Sequence, residues 1–151
     1  MSPVIDYGLT ITRGWHDETL QEIEIQARNK HICSKTQTHV GLQTLNEFAE
    51  MLKGFPASVT DQREFEFGVP HAPGCGHIRL SFMCRDGAGH PLLQISISEA
   101  SFDYPGYTES TVQCIPVSAA AIDSFIQQLE VLLPSPDQAE ARVARLCMDM
   151  G

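Results

Sequence analysis

The sequence predicts an α+β fold: one antiparallel sheet of about six to seven strands, two helices packed on one face, and an extra C-terminal helix. Three observations carry this. Several short segments alternate apolar and polar residues with a period of two. Two longer segments carry apolar residues at helical spacing, each after a run of strand-like segments. Turn signals such as Asp86-Gly87-Ala88-Gly89, rather than long crossovers, separate the strands.

Residues 4–13 alternate weakly and contain β-branched side chains, which suits a first strand. Residues 20–28 alternate clearly, with Ile23, Ile25 and Ala27 opposite Glu22, Glu24 and Gln26. A turn at Asn29-Lys30 leads into a more polar third strand at 31–40. Thr44 and Glu47 have the spacing of a capping box. Leu45, Phe48, Ala49 and Leu52 then follow on one face, and Gly54 stands where a helix-ending glycine belongs, so a helix is expected over 44–53. Strands are expected at 63–69, 77–85, 91–98 and 111–117. The first has Phe65, Phe67 and Val69 inward, leaving Glu64 and Glu66 as a solvated face. Ser118 caps a second helix over 119–133, with Ile122, Phe125, Leu129 and Leu132 inward, and Pro134 ends it. Residues 135–150 read as the third helix, a C-terminal extension with Ala139, Val143, Leu146 and Met150 in a narrow stripe. Leu45-x2-Phe48-x3-Leu52 and Ile122-x2-Phe125-x3-Leu129 share one frame. That is the mark either of an internal duplication or of core helices reaching the same spacing independently.

At 151 residues the chain reads as a single domain, 1–151. Such a length can bury roughly 70% of its unfolded surface without a disulfide or metal staple. Five cysteines, an odd number without a CxxC pair, suggest reduced thiols. Cys33, Cys84, Cys114 and Cys147 are expected as small buried apolar residues. There is no secretory leader pattern and no apolar run near the ~18 residues of a membrane span, so the expected location is cytoplasmic. The net charge is −9 and unevenly spread: between Asp86 and Ala141 there are eight acids and no lysine or arginine. One-signed charge disfavours nucleic acid as a partner and favours a cationic protein, though it also serves solubility, and without an apolar span no membrane partner is expected.

The densest group of reactive side chains is His71-Ala72-Pro73-Gly74-Cys75-Gly76-His77. His71, Cys75 and His77 could serve as metal ligands only if the loop folded so that they converge on one ion, which takes three or four donors. Cys75 with a neighbouring histidine could act as a thiol nucleophile. The glycines and proline equally fit a plain turn into the next strand, which is the preferred reading, with no cofactor expected. No GxGxxG, P-loop, HExxH or nucleophile elbow occurs. Residues 98–110 are the stronger candidate for binding: Phe102, Tyr104 and Tyr107 stand with Glu99, Asp103 and Glu109 around a Pro-Gly pair. Exposed aromatics among acids on an irregular loop suit a protein–protein contact; the alternative is rings folded back on the sheet. Trp15, beside His16, is either a rim anchor or a core-edge residue.

The order LNEFAEMLKGFP, HIRLSFMC, RDGAGH, PLLQISIS, TVQCIPV, AAIDSFIQQLEVLL resembles the small bacterial WapI-type immunity proteins of polymorphic toxin systems. The hairpin Asp86-x-x-Gly89-His90 and the last hydrophobic helix carry the likeness, which covers about residues 5–133. Pro91 interrupts the aliphatic run expected after that turn, and the segment after Pro134 is an addition. The resemblance implies no catalysis and tight binding to a cognate toxin, blocked sterically. The alternatives are a small metal-binding protein or enzyme built on the 71–77 loop, and a homo-oligomeric module joined through the C-terminal helix.

Overall fold

A computed structural model describes residues 6–132 and 142–151. The fold is α+β. Among the described residues there are eight strands and two helices: β1 (Gly8–His16), β2 (Leu20–Arg28), β3 (Cys33–Gly41), α1 (Thr44–Leu52), β4 (Arg63–Phe67), β5 (Gly76–Cys84), β6 (Pro91–Ala100), β7 (Thr108–Pro116), α2 (Ala119–Val131) and β8 (Val143–Cys147). The strands form two four-stranded antiparallel sheets, ordered β3-β2-β1-β8 and β4-β5-β6-β7, instead of the single sheet expected. Alternation fixes which face of a strand is buried. It leaves open which strand lies alongside, and β3 and β4, near neighbours in sequence, join different sheets.

The succession β1-β2-β3-α1-β4 recurs as β5-β6-β7-α2-β8, so the chain is two βββαβ halves. Each half ends with a strand that joins the other half's sheet: β4 pairs with β5 and β8 pairs with β1. The registers match row for row. Leu146, Leu9, Ala27 and Ser34 lie side by side in one sheet, as do Phe67, Ile78, Ile97 and Thr111 in the other. The helices correspond as well, burying Leu45, Phe48, Ala49 and Leu52 in α1 and Ile122, Phe125, Ile126 and Leu129 in α2. Phe48 touches its own counterpart Phe125, ring centroids 5.9 Å apart, as expected where two related halves meet about a local two-fold. The shared frame of the two helices thus has a structural counterpart in the strand order and registers of the described residues.

Both halves bury one continuous core. Phe48 is its centre, with Phe65, Phe67 and Phe82 also around it at 5.0–6.2 Å. A fully buried side chain of this size is worth about 3 kcal/mol of transfer free energy. Each helix packs against the strand that follows it, α1 on β4 and α2 on β8. In each case an arginine satisfies carbonyls at the helix end. Arg63 donates to the carbonyls of Met51 and Lys53 at 2.8 and 2.7 Å, and the buried Arg13 donates to that of Leu132 at 3.2 Å. β3 of one sheet packs against β5 of the other: a Cβ on Gly76 would collide with Thr36, so glycine keeps the two strands close there.

Several expectations are corrected. The C-terminal segment is not a helix over 135–150. Residues 133–141 lie outside those described, and Val143–Cys147 is a strand burying Ala144 and Leu146, with Met148 following on the same side. The misleading stripe shares Leu146 with the strand's own alternation, and five residues are too few to distinguish the periods. Thr44 and Glu47 form no capping box. Gln43 is the N-cap, without a side-chain cap bond, and Thr44 is already the first helical residue, one position past the cap. Gly54, by contrast, takes φ +79° just past α1, and the Ser118 hydroxyl accepts from the Ala121 amide at 3.0 Å. Val69 lies past the end of β4 and is exposed. Cys33, Cys114 and Cys147 are exposed on outward strand positions and Cys75 and Cys84 half-buried, so none is a core residue; all five are free thiols.

Candidate functional site

The β5–β6 hairpin organises the candidate site. Its turn is closed by Asp86, whose carboxylate accepts from the Ala88 and His90 amides at 3.0 and 3.2 Å and from His90 Nδ1 at 2.6 Å. The His90 contact, ahead of the amides, holds the Asp86 carboxyl below the usual carboxylate range. From that turn the register runs without a break to Gly76 opposite Glu99. The loop before β5 is therefore carried to the same end of the sheet as the loop after β6.

Those are the two segments singled out in the sequence. Pro73 bridges to Ala100, and the Gly74 amide donates to the Ala100 carbonyl at 3.1 Å. Gly74, at φ +76°, lies so close under the Phe102 ring that a Cβ there would overlap it. Between the loops is a cavity of about 340 Å³ walled chiefly by His71, Pro73, Phe102, Pro105 and Tyr107. The 101–107 loop is held by its own hydrogen bonds. The Ser101 amide donates to the Tyr107 carbonyl (3.0 Å), the Tyr107 amide to the Tyr104 carbonyl (3.1 Å), and the Tyr104 amide to the Ser101 hydroxyl (3.0 Å).

Phe102, Tyr104 and Tyr107 are 73%, 67% and 72% exposed, so the rings do not fold back onto the sheet. Phe102 and Tyr107 line the cavity; Tyr104 is not among its lining residues. The acids separate from them. Glu99 and Glu109 stand directly opposite each other on β6 and β7 and line a second groove with Cys33, Ser34 and Lys35, where the Thr36 hydroxyl donates to Glu99 at 3.3 Å. Asp103 is exposed beside Phe102.

His71, Cys75 and His77 are not brought together as a ligand set. His71 takes φ +64° and faces the cavity, whereas His77 Nε2 lies 3.2 Å from Glu66 at the start of β5. The Cys75 amide closes a turn on the Ala72 carbonyl. Among the described residues no group of three His, Cys, Asp or Glu side chains is arranged to hold a metal. Glu64 and Glu66 form the solvated face expected of them, both paired with Arg79. The Glu64 contact, followed by the charge of Glu66, raises the Arg79 guanidinium above its ordinary value. Trp15 is 56% exposed and meets His39 edge-on at 6.4 Å, so it is not a core-edge residue.

Sequence reading did not join His71, Pro73 and Pro105 to Phe102 and Tyr107. The signal was present: pairing outward from the Asp86–Gly89 turn brings residue 76 opposite 99 and sets the flanking loops side by side. No helix among the described residues is long and apolar enough to cross a membrane. No family model matches the chain, and neither does any curated protein or solved structure.

Proposed function

We propose that the chain is a non-catalytic binding protein that engages a basic protein through the end of the sheet formed by residues 71–75 and 98–110. Its most concrete form is a cytoplasmic immunity protein that neutralises a cognate bacterial toxin by occluding the toxin's active site. The observation that carries the reading is the set of three aromatic side chains, each about two-thirds exposed or more, on a loop ordered by its own hydrogen bonds. Exposing rings on a well-held loop forfeits their burial, and binding is where that burial is recovered. The stretch from Asp86 to Ala141, which contains the loop, has no lysine or arginine. Its charge favours a cationic surface and fast, salt-sensitive association.

The test is capture from lysate of the native host, with the protein as bait and partners identified by mass spectrometry. A stoichiometric toxin-domain partner is the expected result. Replacing Glu99, Asp103 and Glu109 together by neutral residues should then slow association and flatten its salt dependence. No stoichiometric partner, or an on-rate equal at low and high salt, would overturn the reading or its electrostatic part respectively.

A further inference from the structure

We infer that the cavity between the two loops is a socket for one long cationic side chain, arginine or lysine, presented by the protein partner. This rests on the binding reading above and names the chemistry of its central contact. The cavity, about 340 Å³, is at the small end of the range of about 300–1,000 Å³ typical of ligand sites. That suits a single side chain better than a cofactor. Its walls combine three ring systems, His71, Phe102 and Tyr107, with Pro73, Pro105 and Ala100. Aromatic faces attract a cation, and apolar walls accommodate the methylene stem that carries it.

Charge selects a cationic occupant over a neutral apolar one. No lysine or arginine lines the cavity, and the exposed acid Asp103 follows the lining residue Phe102 in the chain. Comparison of the halves adds a second, independent observation. Ala27 corresponds to Ile97, an offset of 70, but Ser34 corresponds to Thr111, an offset of 77. The β6–β7 connection is therefore seven residues longer than the β2–β3 turn, as two further ladder pairs and a longer loop, and the loop forms the outer wall. The short turn has no phenylalanine, tyrosine or tryptophan and is closed instead by the Asn29 carboxamide, which accepts from the His31 and Ile32 amides at 2.8 Å.

The test is a titration of the full-length, ¹⁵N-labelled protein, followed by NMR, with N-acetyl-arginine amide, N-acetyl-lysine amide and the neutral N-acetyl-norleucine amide. The cationic amides should shift residues 71–75 and 100–108 and bind at least about three-fold more tightly than norleucine amide, the order expected of a cation–π contact at an exposed site. Tyr107→Leu keeps an apolar wall but removes a ring face, and should weaken the cationic probes by a similar factor. Equal shifts from norleucine amide, shifts scattered outside the two loops, no shifts, or unaltered binding by Tyr107→Leu would each overturn the socket. Failure of the lysate capture would instead count against the immunity reading while leaving the titration result standing.

Discussion

The two βββαβ halves share registers and helix frames yet differ at their second hairpin. In the first half β2 passes to β3 through a tight turn; in the second, β6 passes to β7 through a loop with three exposed rings. The first hairpin turns have changed less. Asp17 and Asp86 occupy corresponding places, and each carboxylate accepts from two backbone amides of its turn. What the halves share serves folding. The long 101–107 loop, which replaces a tight turn in the first half, is exposed and lines the candidate socket together with His71 and Pro73. The halves thus differ most at one end of a shared scaffold.

The largest expected effect comes from breaking the contact between the halves. Phe48→Ala removes the ring at the centre of four others and should cost about 4–5 kcal/mol in denaturant unfolding. Phe125→Ala, whose one ring neighbour among the described residues is Phe48, should cost less, and the pair should couple by about 0.5–1.5 kcal/mol in a double-mutant cycle. Equal single effects with additive combination would refute this picture of the core centre.

Next is the exchange of the last strands. Ala144→Asp places an unpaired charge on the buried face of β8 and should destabilise by about 3–4 kcal/mol, while Val143→Asp, on the half-exposed face, should be mild. A helix with the stripe Val143, Leu146 and Met150 predicts the reverse order, so thermal melts of the two variants decide between the readings. A smaller effect on stability is expected at the loop. Changing Tyr104 and Tyr107 to serine should leave unfolding free energy within about 0.5 kcal/mol per substitution, yet lower partner affinity by more than ten-fold. A large stability loss would show that the rings serve the fold.

Much of this was legible in the sequence because it is local. β2 runs from Leu20 to Arg28, the bounds its alternation suggests, and both helices bury the apolar residues their spacing marks. The unread parts depend on distant partners. Ile11 alternates the same way whether its neighbour is Ala144 or some other strand, so the division into two sheets left no trace in any one segment. Ala144 and Leu146 need β1 alongside to become a strand, and the preceding apolar positions favoured a helix. The aromatic loop was recognisable from composition, whereas its wall of His71 and Pro73 comes from strand pairing some thirty residues away.

The smallest expected effect concerns the conserved element of the comparison, the two Asp-closed turns. Both carboxyls titrate below the ordinary value of about 3.9: Asp17 chiefly through the Thr19 and then the Leu20 amide, Asp86 chiefly through the His90 side chain. A carboxylate held below its unfolded value adds stability that is complete above that value and disappears as pH falls through the folded one. Asp17→Asn and Asp86→Asn keep the shape and an accepting oxygen but lose the charge, so each should lower Tm by no more than a few degrees at pH 7. The deficit should begin to shrink as the pH falls below about 3.9, where the unfolded chain takes up a proton that the folded carboxylate still resists. The two turns should then part company on a third substitution. His90→Ala removes the leading contact of Asp86 and should shrink the Asp86→Asn deficit while leaving that of Asp17→Asn as it was. A Tm difference constant from pH 7 to pH 3, or an equal response of both turns to His90→Ala, would show that the carboxylate charge is not what holds them closed.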